Sequence, residues 1–87
     1  MIYARVILDG ESFDIRIDEA SGKREGEHSY YPLKIRHEAS GYSAAITCKS
    51  IQLAEVFADP RFAEELANLY YNIFDRRPTD NDFGVLS

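Results

Sequence analysis

The sequence predicts an α+β fold: a four-stranded antiparallel sheet (ββββ) with a short helix and a longer C-terminal amphipathic helix packed on one face. Three observations support this fold class. Alternating apolar and polar residues mark strands in the first half of the chain. A helical repeat of apolar residues follows near the C-terminus. Strand and helix patterns are segregated along the chain, and such segregation is typical of helices that cover one face of a sheet.

The first two strands are predicted to form a hairpin. Residues 13–18 alternate apolar and polar side chains, and residues 2–8 do so with the exception of Ile7, as half-buried strands do. Asp9 and Gly10 lie between them and are typical of a tight hairpin turn. Residues 19–29 contain many charges and no large apolar side chain, so we expect a mobile loop there.

Two further strands are predicted at residues 31–38 and 42–49. Pro32 cannot donate a backbone hydrogen bond, so it lies at the start of the third strand or this strand is at a sheet edge. We expect a meander. The length of the 19–29 loop leaves open an order in which the fourth strand lies beside the first.

Two helices are predicted after the sheet. Ser50 is expected to cap a short, mostly buried helix at residues 51–58. Asp59 is expected to cap a longer helix that runs to Asp75, with Pro60 at its first position. One side of the longer helix is apolar and is expected to hold the sheet; its residues are Phe62, Leu66, Leu69, Tyr70, Ile73 and Phe74.

Residues 1–77 are expected to form a single domain, because 87 residues suffice for one hydrophobic core. Residues 78–87 lose the helical pattern but keep Phe83, Val85 and Leu86. This tail is expected to be flexible, to dock on the domain, or to add a strand to a sheet edge.

The cysteine content and the N-terminus indicate the compartment. Cys48 is the one cysteine, which excludes an intramolecular disulfide framework and fits a reducing cytosol. The N-terminus lacks the basic start and apolar run of a signal peptide, and no stretch is apolar enough to cross a bilayer. We therefore expect a soluble, cytoplasmic protein with no membrane association.

The sequence contains no catalytic or metal-binding signature. His37 is expected to face the core, and the adjacent Glu38 points to the opposite face of its strand, so the two cannot act together. Cys48 is expected to pack as a small hydrophobic residue. No Cys/His cluster is present. The prediction is therefore a protein that is not an enzyme, with no catalytic residues, no metal and no cofactor.

Charge distribution favours the outer side of the longer helix as a binding surface. The net charge of −5 argues against binding of nucleic acid by the whole surface. Residues 50–75 carry five carboxylates against Arg61 alone. Acidic patches steer basic partners, and tyrosine is enriched at interfaces. The predicted partner-binding residues are Glu64, Glu65, Asn68, Tyr71, Asn72 and Asp75.

These observations lead to one leading hypothesis and two alternatives. The leading hypothesis is a small acidic protein–protein interaction protein that binds a larger, basic partner. This hypothesis extends to an inhibitor that binds nucleic-acid-handling machinery, of the kind that phages and other mobile elements encode. The first alternative is a single-stranded nucleic-acid-binding module that uses the outer sheet face, where Tyr3, Arg5, Lys34 and Arg36 are expected. The second is a homo-oligomeric structural protein, such as a homodimer, formed through Tyr71 or through an edge strand such as the third.

Overall fold

The computed structural model describes residues 1–79 and 82–86. This part of the chain forms a six-stranded antiparallel sheet and two α-helices. The predicted α+β class, the antiparallel sheet and the helix packed on it are confirmed, whereas the predicted number of four strands is wrong. The elements are β1 (Ile2–Leu8), β2 (Glu11–Ile17), β3 (Lys23–Glu25), β4 (His28–His37), β5 (Ser43–Cys48), α1 (Leu53–Ala58), α2 (Pro60–Phe74) and β6 (Gly84–Leu86).

The sheet is a meander with two short additions. β5, β4, β2 and β1 are successive antiparallel neighbours, which confirms the predicted order and excludes the order with the fourth predicted strand beside the first. β6 pairs with the edge of β1 that lies away from β2, and β3 pairs with the first residues of β4. β3 and β6, which no alternation of side chains marks, are the two shortest strands, and both pair with a longer strand.

Residues 19–29, predicted to be a loop, contain regular structure instead. Asp18 accepts a hydrogen bond from the Ala20 amide and starts a 3-10 turn at Glu19–Ser21. β3 then pairs with residues 28–30 across a turn in which Gly26 has a φ of +61°. A two-stranded ladder needs only backbone partners, so a segment with fully exposed side chains can still form one.

The third predicted strand, β4, is not an edge strand, because β2 and β5 pair with its two sides. Pro32 lies in its interior, yet its missing N–H removes no bond from the ladder with β2. That ladder ends at the Ile17–Leu33 pair, and the Pro32 carbonyl accepts a hydrogen bond from the Asp18 amide just beyond it. Because the ladder between β2 and β4 ends one residue before Pro32, the strand tolerates a proline at this position.

α2 covers the inner face of the sheet as predicted. The Asp59 carboxylate accepts from the Arg61 amide at 3.0 Å and caps the helix, and Asp75 ends it with a φ of +55°. Of the predicted contact residues, Phe62, Leu66, Leu69 and Tyr70 are buried, and Ile73 and Phe74 are half-buried. The sheet residues buried in the same core are Val6, Leu8, Phe13, Ile15, Ile17, Leu33, Ile35 and Cys48.

The shorter helix differs from its prediction in two respects. It begins at Leu53, two residues late, because the Ser50 hydroxyl accepts from the Gln52 amide and holds that residue in a turn. It is also not mostly buried. Only Val56 is buried, while Leu53 and Phe57 are half-buried and the remaining residues are exposed. One turn and a half of helix can press only one side onto the core, so its other apolar side chains stay accessible.

The C-terminal segment adds a strand, which was one of its three predicted alternatives. Gly84, Val85 and Leu86 pair with residues 5–7 of β1. The ring of Phe83 lies 5.2 Å from that of Phe62 and 5.8 Å from that of Phe57. Aromatic packing thus places β6 against β1. The remaining tail residues Asp80, Asn81 and Ser87 lie outside the described residues.

Candidate functional site

The structure brings the six predicted partner-binding residues together along α2. At about 100° per residue, Tyr71, Glu64, Asp75, Asn68 and Asn72 share one exposed arc of roughly 100°, opposite the buried stripe. Glu65 lies at the border of this arc and is half-buried. Tyr71 has 47% of its surface exposed. We call these six residues the outer face of α2.

The outer face of α2 has no internal charge compensation. Among the described residues, no side-chain hydrogen bond or ion pair involves any of its six members. A nearby cation, Arg61, is engaged at the start of the helix, where its Nη2 lies 3.1 Å from the Asp59 carboxylate. The Arg61 guanidinium holds the pKa of the Asp59 carboxyl below its usual value. The carboxylates of Glu64, Glu65 and Asp75 therefore keep their hydrogen-bonding capacity for a partner.

The outer face of the sheet differs, because several of its cations and rings are paired with one another. The Arg5 guanidinium donates to Asp14 at 3.0 Å and lies 3.6 Å from Glu38. Arg16 lies over the Tyr3 ring at 5.7 Å, and Lys49 lies 6.0 Å from the centre of the Tyr30 ring. Arg16 and Lys49 therefore compete with a nucleic-acid base for the ring faces that they cover.

His37 forms a polar cluster that the sequence did not reveal. The Ser40 amide donates to Nδ1 of His37 at 3.2 Å, so Nδ1 is the unprotonated ring nitrogen. Ser40 Oγ then donates to the same atom at 2.7 Å, and Nε2 donates to Glu11 at 2.8 Å. A serine, a histidine and a carboxylate are linked here in the same order as in a hydrolase triad, but with the two ring nitrogens exchanged. The inward position of His37 was predicted; its bond to Glu11 was not, since 26 residues separate the two.

The surroundings of Ser40 indicate a structural cluster. A nucleophilic serine needs free amide donors for the oxyanion. Here the amides of Ser40, Gly41 and Tyr42 donate to His37 Nδ1, the His37 carbonyl and Ser40 Oγ respectively. His37 is also only 3% exposed, between the rings of Phe13 and Phe74. The hydrogen bonds of this cluster hold the turn after β4 and give both ring nitrogens of the buried His37 a partner.

Neither Cys48 nor the described metal-ligating side chains form a reactive arrangement. Cys48 is buried, and burial raises the pKa of its thiol, which disfavours the reactive thiolate. Its Sγ donates to the Tyr31 carbonyl at 3.6 Å. Within residues 1–79 and 82–86, no three His, Cys, Asp or Glu side chains lie close enough to hold a metal ion.

A second surface was missed by the sequence prediction. An apolar groove of about 670 Å³ lies between the start of β1 and α1, lined by Tyr3, Ala4, Arg5, Leu53, Ala54, Phe57 and Val85. The apolar pattern of α1 was visible in the sequence, but it was interpreted as burial. The position of α1 beside β1 depends on the tertiary structure.

No described helix combines the length and the apolar character required to span a bilayer. Comparison with known proteins finds no matching family model, no similar curated protein and no similar solved structure.

Proposed function

We propose that this protein is a small interaction protein that binds a larger, basic protein through the outer face of α2. The observation that carries the proposal is the set of uncompensated carboxylates and amides around the exposed Tyr71. α2 is anchored by its other side in the core, so the outer face is presented on a rigid element. Acidic groups would steer the partner, and the tyrosine would supply buried area on binding.

Nucleic-acid-handling proteins are the class of partner that fits this surface best, because their binding surfaces are rich in Lys and Arg. Occupation of such a surface would block access of nucleic acid, so the proposal extends to an inhibitor of the kind that phages and other mobile elements encode. The proposal places the protein in the cytoplasm, which the free and buried Cys48 supports. It requires no catalytic activity.

Site-specific photo-crosslinking tests the proposed surface. A photoreactive phenylalanine analogue replaces Tyr71 in one variant and Tyr42, which is 60% exposed in the turn before β5, in a matched control. We expect the Tyr71 variant, and not the Tyr42 variant, to be crosslinked to a basic protein in native host cells. Equal crosslinking from both positions, or crosslinking from Tyr42 alone, would reject the outer face of α2 as the binding surface.

Charge reversal provides an independent test on the captured partner. The variant E64K/E65K/D75K should lose affinity at least tenfold, because it replaces attraction to a basic surface by repulsion. The control E25K/E27K/E55K changes the net charge by the same amount at exposed positions outside α2. Equal affinity of the two variants would show that total charge, and not this face, governs binding.

A further inference from the structure

β5 leaves one side of its backbone open. β4 pairs with one side of β5, and no described strand pairs with the other. The His37 amide donates to the Tyr42 carbonyl, so these two residues form a hydrogen-bonded pair. Bonded and non-bonded pairs alternate along an antiparallel ladder, so the backbone N–H and C=O groups of Ser43, Ala45 and Thr47 point away from β4. Unpaired backbone groups at a sheet edge are a template for another strand.

The edge is accessible at Ser43 and Ala45, which are both exposed. At Thr47 the Arg61 side chain covers it in part, because Arg61 Nη2 donates to the Thr47 carbonyl at 3.5 Å. Natural edge strands often carry a charge or a proline that opposes pairing with another chain. β5 contains neither, so an added strand would be centred on Ser43 and Ala45.

Two cations, Lys34 and Arg36, lie beside this edge. They are the cross-strand partners of Ala45 and Ser43 and share the outer side of the sheet with them. Among the described residues, neither cation forms an ion pair. Strands lie about 4.8 Å apart, so an added strand would run about 10 Å from β4. The small side chains of β5 leave this space open, and a lysine or arginine together with an acidic side chain can bridge it.

The neighbouring strand increases the positive charge at this place. Arg16 lies directly opposite Lys34 in the β2–β4 ladder, and like charges in direct opposition destabilise a sheet. Asp14 lies opposite Arg36 but accepts a hydrogen bond from Arg5 at 3.0 Å. The outer side of the sheet therefore carries positive charge that a bound anion would neutralise, although the chain as a whole has a net charge of −5.

The combination of cations and an open edge favours an extended polypeptide over a nucleic acid. A strand paired with β5 would place every second side chain on the outer side, beside Lys34 and Arg36, and the others on the inner side. On the inner side Ala44 and Ile46 are half-buried at the border of the core, where apolar side chains would cover them. A nucleic acid supplies negative charge, but it has no peptide groups to continue a β ladder.

We propose that β5 binds an extended acidic segment of a partner protein, whose backbone continues the sheet and whose carboxylates pair with Lys34 and Arg36. The segment alternates acidic residues on the outer side with apolar residues against Ala44 and Ile46. This partner is opposite in charge to the one proposed for the outer face of α2, and it binds a different surface. Neither proposal depends on the other.

Fluorescence anisotropy with a labelled synthetic peptide that alternates glutamate and valine tests the ligand. We expect the wild type to bind this peptide and not a peptide of the same composition in which the two residues occur in pairs. Only the alternating peptide can separate its carboxylates from its apolar side chains on the two sides of one strand. Absence of binding, equal binding of the two peptides, or tighter binding of single-stranded oligothymidylate would overturn the proposal.

Charge reversal tests the two cations. K34E/R36E should bind the alternating peptide at least about tenfold more weakly, because it replaces attraction by repulsion. It also removes the opposition of Arg16 and Lys34, so the sheet should keep its fold. The matched control R24E/R77E changes the net charge equally at exposed positions outside β4 and β5. Equal affinity of the two variants would show that total charge governs binding and would overturn the proposal.

Amide hydrogen exchange tests the backbone pairing. The Ser43 and Ala45 amides should exchange more slowly when the alternating peptide is bound, because they would enter a ladder. The amides of Ala44 and Ile46 face β4 and serve as internal references. Ala45→Pro removes a donor at the open edge without removing a bond to β4, and it should abolish binding. Unchanged exchange at Ser43 and Ala45 under saturating peptide, or full affinity of Ala45→Pro, would overturn the proposal.

Discussion

The Tyr70 hydroxyl donates a 2.6 Å hydrogen bond to the Asp9 carboxylate and so joins α2 to the β1–β2 turn. Asp9 has a φ of +52° in that turn. The same carboxylate accepts from Thr79 Oγ1 at 2.6 Å and lies 3.1 Å from Arg76 Nη1. The hydrogen bonds from Thr79, Tyr70 and Arg76 hold the pKa of the Asp9 carboxyl well below its usual value. One acid therefore links the hairpin, the helix and the segment that follows it.

The Asp9 cluster should make stability depend on acid pH. A carboxyl whose pKa is lower in the folded than in the unfolded state binds fewer protons when folded. Its contribution is present above the usual value of 3.8 and is lost as the pH falls below it. Urea denaturation should therefore show that Asp9→Asn is less stable than the wild type at neutral pH, and that the difference shrinks as the pH falls.

The difference in stability between the wild type and Asp9→Asn isolates the contribution of the Asp9 carboxyl. The pKa values of Asp18, Glu19 and Asp59 are lowered too, but these residues are present in both proteins and their contributions cancel. A stability difference that stays constant down to strongly acidic pH would contradict the assignment.

Adjacent tyrosines on α2 should respond differently to loss of a hydroxyl group. Tyr70→Phe removes the donor to Asp9 from a fully buried side chain, whereas Tyr71 is 47% exposed and has no partner among the described residues. Thermal denaturation should show a lower midpoint for Tyr70→Phe and an unchanged one for Tyr71→Phe. Equal midpoints for the two variants would mean that the hydrogen bond adds nothing to stability.

The two sides of α2 should differ in their effect on folding. Leu66 is 1% exposed in the core, and its truncation to alanine should reduce the free energy of unfolding by about 2–5 kcal/mol. Asn68→Ala, on the outer face of the same helix, should change it by less than about 0.5 kcal/mol. Chemical denaturation measures both values. A large loss for Asn68→Ala would show that the outer face has a structural role and would weaken its assignment to binding.

Ser40 should be unreactive despite its contact with His37. The amides of Ser40, Gly41 and Tyr42 already donate within the turn, so none of these three is free to stabilise an oxyanion. A fluorophosphonate probe should label the wild type no more than it labels Ser40→Ala, as measured by intact-protein mass spectrometry. Specific labelling of Ser40 would show that the cluster is catalytic.

Phe83 should hold β6 against β1. Its ring contacts Phe57 and Phe62, so Phe83→Ala removes the packing that precedes the strand. Amide hydrogen exchange at residues 5–7 of β1 should then become faster, while exchange in β2 and β4 should not change. The exposed Tyr42→Ala variant is the control and should leave all three strands protected. Unchanged exchange in Phe83→Ala would show that β6 is held by its backbone pairing alone.

The sequence by itself determined the elements whose side chains repeat with a regular period. Alternation located β1, β2, β4 and β5 and separated the inward from the outward side chains of each strand. The apolar stripe of α2 and its Asp59 cap located the helix and separated its buried side from the six residues of its outer face. These features are local, because each depends on the spacing of neighbouring residues.

Only the tertiary structure decided the features that depend on residues distant in the chain. β3 and β6 form because a longer strand provides unpaired backbone groups to each of them. The spacing of side chains in the sequence does not show where such groups are available. The bonds of Tyr70 to Asp9 and of His37 to Glu11 join residues 61 and 26 positions apart. The exposed side of α1 depends on how the short helix packs against the sheet and α2. A period in the sequence specifies one face of an element, whereas the packed fold decides what lies against it.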